Sequence, residues 1–159
     1  MKKRGQAWGF DLTIASIIFI GGIIVFYVYA LNTPSQGNDK IDSLTYEGNS
    51  ISDALLSEGF PQNWEANNVV KLGLTTNNKI NQTKLENLYA LSQSDYQKTK
   101  LLFNTKYNYF INASSPLTIK NSPISGIGIQ ENNSNNLIKI SRFTIYDEKP
   151  ITLTIEVWE

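Results

Sequence analysis

The pattern of apolar and polar positions splits the chain in two. From Leu12 to Leu31 twenty consecutive residues carry no charge, and Thr13 and Ser16 are the polar ones among them. Beyond this run the apolar positions are spaced. TPSQGNDK forms a short polar juncture. Ile51, Ala54 and Leu55 recur at i, i+3 and i+4 and predict a helix from Ser43 to Leu56. Gly59 to Trp64 has turn composition, and Val69 to Leu74 has that of a short strand. Asn81 can cap a helix running through Ala90, with Leu85, Leu88 and Tyr89 on one face. A second helix spans Ser94 to Phe103, with Tyr96, Leu101 and Leu102 as its apolar members.

From Tyr107 the period changes to two. Tyr107, Tyr109 and Ile111 alternate with Asn108, Phe110 and Asn112. Leu117-Thr118-Ile119 and Ile124 to Ile129 follow as strands, and ENNSNN as a loop. Leu137 to Tyr146 and Ile151 to Trp158 flank the polar tetrad Asp147-Glu148-Lys149-Pro150, which predicts a terminal hairpin. The fold class is therefore α+β: a long N-terminal helix, short helices, then an antiparallel sheet. At 159 residues there is room for one such domain beyond the apolar segment.

The apolar run fixes the setting. Twenty residues at 1.5 Å each reach roughly 30 Å, the thickness of a bilayer core. In lipid a single span must be a helix, because the backbone has to satisfy its own hydrogen bonds. Lys2, Lys3 and Arg4 precede the run and no charge follows it until Asp39. The positive-inside rule then puts the N-terminus in the cytoplasm and the head outside. Membrane lipid is the first expected partner. Residues 32–159 hold 11 basic and 13 acidic side chains and no basic patch, so nucleic acid is not an expected partner.

The chain has neither cysteine nor histidine. Disulfides are excluded, as are metal centres built on Cys or His and nucleophilic schemes that use them. No cofactor and no metal is expected. Ser122, Ser125 and Ser141 lack any His partner, and Gly126 and Gly128 make no phosphate loop. The composition points away from an enzyme. Asn81-Gln82-Thr83, Asn112-Ala113-Ser114 and Asn132-Asn133-Ser134 match the glycosylation sequon, with Asn132 best placed in its loop and Asn81 equally suited to capping.

The N-terminal stretch admits three readings. A secretory signal needs an apolar region of about 7–15 residues and a cut after small residues, here Val28-Tyr29-Ala30, and the run is too long for it. A plain signal anchor needs length and charge bias alone. The third reading rests on Lys3-Arg4-Gly5 followed by Gln6, with the charges and glycine ahead of the apolar run and a polar bridge between. This arrangement resembles the class III signal of archaeal type IV pilin-like proteins. The resemblance implies a cut between Gly5 and Gln6 by a prepilin-peptidase-like protease. Residues 1–5 are then a leader, 6–31 a membrane and assembly helix, and 32–159 an extracellular head. It further implies other pilin-like subunits as partners and surface contact as the work. Asp11 stands near the position where many bacterial pilins carry a glutamate that meets a neighbour's amine; an interfacial acid or helix cap is the other reading. Ala15, Gly22 and Ala30 line one side of the helix, which suits close helix approach in lipid. Residues 55–111 are also similar to a segment of small archaeal membrane-anchored surface proteins of unassigned role.

Overall fold

The computed structural model describes residues 4–32, 36–134 and 136–159. Lys2 and Lys3 of the leader, residues 33–35 of the juncture and Asn135 of the polar loop lie outside them. The chain forms two compact units, Met1–Gln36 and Gly37–Glu159.

The first unit is a single α-helix, α1, Arg4–Asn32. It runs unbroken through the Gly5–Gln6 junction and the whole apolar run. Its start at Arg4 places Asp11 in the helix interior, so Asp11 is not an N-cap.

The second unit, the head, is α+β. Four segments build one face: α2 (Gln36–Leu55), α3 (Gln82–Ser94), α4 (Tyr96–Leu102) and the irregular stretch between α2 and α3. The strands are β1 (Thr75–Thr76), β2 (Lys79–Ile80), β3 (Asn108–Ala113), β4 (Leu117–Ile119), β5 (Ser122–Ile124), β6 (Ile127–Gly128), β7 (Leu137–Tyr146) and β8 (Lys149–Trp158). Six of them form a sheet in the order β1-β2-β7-β8-β3-β6, and β4 pairs with β5 alone. All pairings are antiparallel except β2 with β7.

Alternation explains the core. Ile151, Leu153, Ile155 and Val157 of β8 and Tyr109 and Ile111 of β3 all turn to one buried face. Leu44, Ile51 and Leu55 of α2 and Leu85, Leu88 and Leu91 of α3 join the same cluster. α2 crosses the sheet at Gly48, where a Cβ would stand 2.7 Å from the Cδ1 atoms of Ile138 and Ile140. A side chain there has to push those two chain ends aside. α4 packs on β3 through Tyr96 and Phe103, whose rings lie 5.1 and 5.2 Å from that of Tyr109.

Several expected elements differ. The juncture is not a loop throughout, since α2 is already helical from Gln36. Val69–Leu74 is not a strand: Leu72 and Leu74 are buried, but they point into the core from a loop. Their backbone is tied to neighbours instead of a ladder, with Phe60 bridging Lys71 and the Trp64 indole donating to the Gly73 carbonyl at 2.9 Å. Strand pairing begins later, around Asn77 and Asn78, which take the positive φ values of 53° and 63° that a tight turn demands. Ile124–Ile129 splits into β5 and β6 where Gly126 passes beside the Phe110 ring. That contact also buries Phe110 on the sheet's other face. Leu101 is 79% exposed, and Thr99 takes the inward position on α4 because the Tyr109 hydroxyl donates to it at 2.5 Å. The terminal hairpin turns on two residues, not four: Asp147 and Glu148 have φ of 49° and 60°, and Lys149 already faces Tyr146.

Candidate functional site

α1 is the first candidate. From Gly9 to Leu31 its 23 residues, with Asp11 as the one charge among them, are apolar enough on average and at about 34 Å long enough to cross a bilayer core. Its large side chains are exposed on every side, from Phe10 to Leu31. Such a helix has no face for water. Its two hydroxyl groups are turned onto its own backbone. Thr13 Oγ1 donates to the Gly9 carbonyl and Ser16 Oγ to the Leu12 carbonyl, both at 2.8 Å. Neither therefore presents an unmet donor to an apolar surrounding. Ala15, Gly22 and Ala30 fall within an arc of roughly 80° at 3.6 residues per turn. A Cβ on Gly9, Gly21 or Gly22 would meet nothing within 4 Å, so nothing in the chain itself requires those glycines. Asp11 is exposed at the N-terminal end of this stretch.

The head offers a polar groove at the tip of the terminal hairpin. It has a volume of about 760 Å³ and lies among β2, the start of α3, the β4–β5 hairpin and the β7–β8 turn. Tyr146 is its hub. Its hydroxyl donates to Gln82 Oε1 at 3.0 Å and accepts from the Thr118 amide at 3.2 Å, with Thr118 Oγ1 at 2.8 Å. Gln82 Nε2 in turn donates to the Thr118 carbonyl and to Glu86 Oε1. These bonds, the Gln82 amide first and the Lys120 amide second, hold the Glu86 carboxyl below its ordinary pKa. Lys79 and Glu148 close the other wall as an ion pair at 2.8 Å. The groove balances both signs of charge and binds its own members together. Its open surface offers neutral polar contacts. Among the described residues no three carboxylates gather where one cation could join them.

The chain matches no protein-family model, no curated protein and no solved structure.

The three sequons fall in different settings. Asn81 caps α3: its Oδ1 accepts from the Lys84 amide at 3.2 Å while Nδ2 donates to Thr76 Oγ1 at 3.3 Å. Asn112 is half-buried within β3 opposite Thr154. Asn132 is exposed on the loop before β7. Gly5 and Gln6 sit in the first turns of α1.

Sequence reasoning missed the groove and one buried cation. Lys84 is 3% exposed, and its ammonium donates to the carbonyls of Glu58 and Thr75. Burial lowers its pKa, and the Glu58 carboxylate works against that shift. The signal was present in principle: Lys84 adjoins Leu85 and lies one helical turn before Leu88, on the edge of the buried face. Tyr146 carried no such signal, because a tyrosine ending a strand is ordinary.

Proposed function

We propose that this chain is a pilin-like subunit of an archaeal type IV pilus-like surface filament, anchored in the membrane by α1 before assembly and without enzymatic activity. A prepilin-peptidase-like protease cuts after Gly5. α1 then exchanges lipid for the same helix of other subunits, homo- or hetero-oligomeric, and the head faces outward. The observation that carries the reading is α1 itself: an apolar helix exposed on all sides, its hydroxyls internally bonded, continuous across the Gly5–Gln6 junction. Lipid and neighbouring helices are the two surroundings that cover such a surface. Removing Lys2, Lys3 and Arg4 takes away the charges that resist burial of the helix end. The absence of Cys and His from the sequence supports the non-enzymatic part.

A second reading keeps α1 as a permanent anchor for a head that binds a partner without polymerising. The groove at the hairpin tip favours it, as a polar recess of about 760 Å³. Mass spectrometry of the mature N-terminus separates the readings. Gln6 as first residue supports the filament subunit, intact Lys2-Lys3-Arg4 the plain anchor, and Leu31 overturns both.

A further inference from the structure

β7 is fully paired on one side only. β8 takes that side from Leu137 to Tyr146. On the other side β2 meets β7 at one register point, Lys79 opposite Ile145. From Leu137 to Phe143 no described strand occupies the remaining edge. The hairpin fixes which groups stand open. A two-residue turn is closed by a hydrogen-bonded pair, here Tyr146 with Lys149. Hydrogen-bonded and open residues then alternate along the strand. Ile138, Ile140, Arg142 and Thr144 turn their backbone groups to β8. Leu137, Lys139, Ser141 and Phe143 turn theirs outward. Among the described residues no loop or side chain bonds those outward groups. At the same edge Phe143 is 85% exposed, more than any other large apolar side chain described.

We propose that this edge pairs with the same edge of a second copy, antiparallel about a two-fold axis through Ile140. β7 carries the longest open edge among the described strands, so another copy supplies a partner of equal length. Register selects the axis. With Ile140 on it, Leu137 of each copy faces Phe143 of the other, and Lys139 faces Ser141. Centring on Lys139 sets two ammonium groups opposite each other, which is destabilising. Centring on Ser141 drives Leu137 against Ile145, which β2 already holds.

Edge strands are commonly guarded by charged side chains, and β7 has two, Lys139 and Arg142. Both are engaged within the head. Lys139 Nζ lies 2.7 Å from Glu156, and Arg142 Nη2 donates to Asn49 at 2.9 Å with Asp53 at 3.8 Å. With the axis at Ile140, where neither meets its own copy, both keep these partners across the pairing.

The pairing has a direction. β8 runs from the tip at Asp147-Glu148 to Trp158, and Glu159 then pairs with Lys40 at 3.0 Å, where the head begins. An antiparallel two-fold turns one head end for end relative to the other, so the two Asp147-Glu148 tips stand at opposite ends of the paired strands.

The natural absence of cysteine gives a clean reporter. Full chain in detergent, carrying Lys139→Cys, is mixed with chain carrying Ser141→Cys and oxidised. The expected product is the mixed 139–141 dimer, about tenfold above the 139–139 dimer. Equal yields, or no cross-link, overturn the pairing. Phe143→Lys, an exposed substitution that leaves the core intact, should abolish the mixed dimer while the unfolding midpoint stays at the parent value; an undiminished dimer counts against the proposal.

Discussion

The Lys84 ammonium donates a 2.7 Å hydrogen bond to the carbonyl of Thr75, on the first strand of the sheet. A second bond, 2.8 Å to the Glu58 carbonyl, ties the same nitrogen to the loop after α2. One side chain on α3 thereby fixes two segments that have little regular pairing of their own. Lys84→Met keeps the stem and leaves both carbonyls without their donor. A bare buried polar group costs about 1–3 kcal/mol, so the unfolding midpoint in urea should fall with the slope unchanged. An unaltered midpoint shows that solvent reaches those carbonyls.

Tyr109 makes the head sensitive to alkali. Its phenol is held far above the ordinary value of 10, first by burial, and Tyr96 is raised for the same reason. The unfolded chain ionises near pH 10 while the folded one resists. Stability from these groups is therefore complete below pH 10 and is lost as pH rises toward their folded values. Lys84 acts with opposite sign, since its pKa is lowered: its contribution rises with pH up to 10.5. Two phenols against one ammonium predict a net fall above pH 10. Phenolate absorbance should show Tyr96 and Tyr109 ionising only together with loss of the fold. In Tyr109→Phe the unfolding transition should move, with a weaker dependence on pH.

Gly48 sets how closely α2 approaches the sheet. Gly48→Ala gains up to about 1 kcal/mol of helix propensity but brings a methyl onto Ile138 and Ile140, whose chain ends can give way. Gly48→Leu cannot be absorbed in this manner and should cost about 1–3 kcal/mol or more. Thermal unfolding of both variants checks the order, which fails if leucine is as stable as alanine.

Carbonate washing of membranes should leave the protein in the membrane fraction. Gly22→Asp should reduce insertion, because an acid at the centre of a span costs about 2.5–3.5 kcal/mol. Equal insertion of the variant removes α1 as a span.

Asp11→Asn tests the assembly role at a site where capping no longer competes, Asp11 being inside the helix. Fewer filaments with normal membrane insertion is the expected result, scored by electron microscopy of sheared surface material. Unchanged filaments leave Asp11 as an interfacial acid.

Legibility followed the range of the forces involved. β7 was readable to its first and last residue, because alternation and a polar turn are local signals. The Asn81 cap was readable for the same reason, as one side chain acting on an amide three residues on. Val69–Leu74 was misread because an apolar run reports burial and not pairing. Its backbone partners, Phe60 and Trp64, are decided by the packed fold. Gly48 and Lys84 were invisible, since each answers to atoms many residues away. Of the candidate sites, α1 stood out by composition alone. The groove around Tyr146 did not, as it exists only where three hairpins and a helix end converge.

The Lys40–Glu159 pair brings the last residue of the chain back to where the head begins. This gives the head two well-separated places for a label. A probe fused after Glu159 lies beside Lys40, whereas one inserted between Asp147 and Glu148 stands a full ten-residue strand away, roughly 33 Å along the hairpin. A pair of dyes at Lys40 and Glu159 should accordingly report direct proximity, and a pair at Glu159 and the turn the full length of β8.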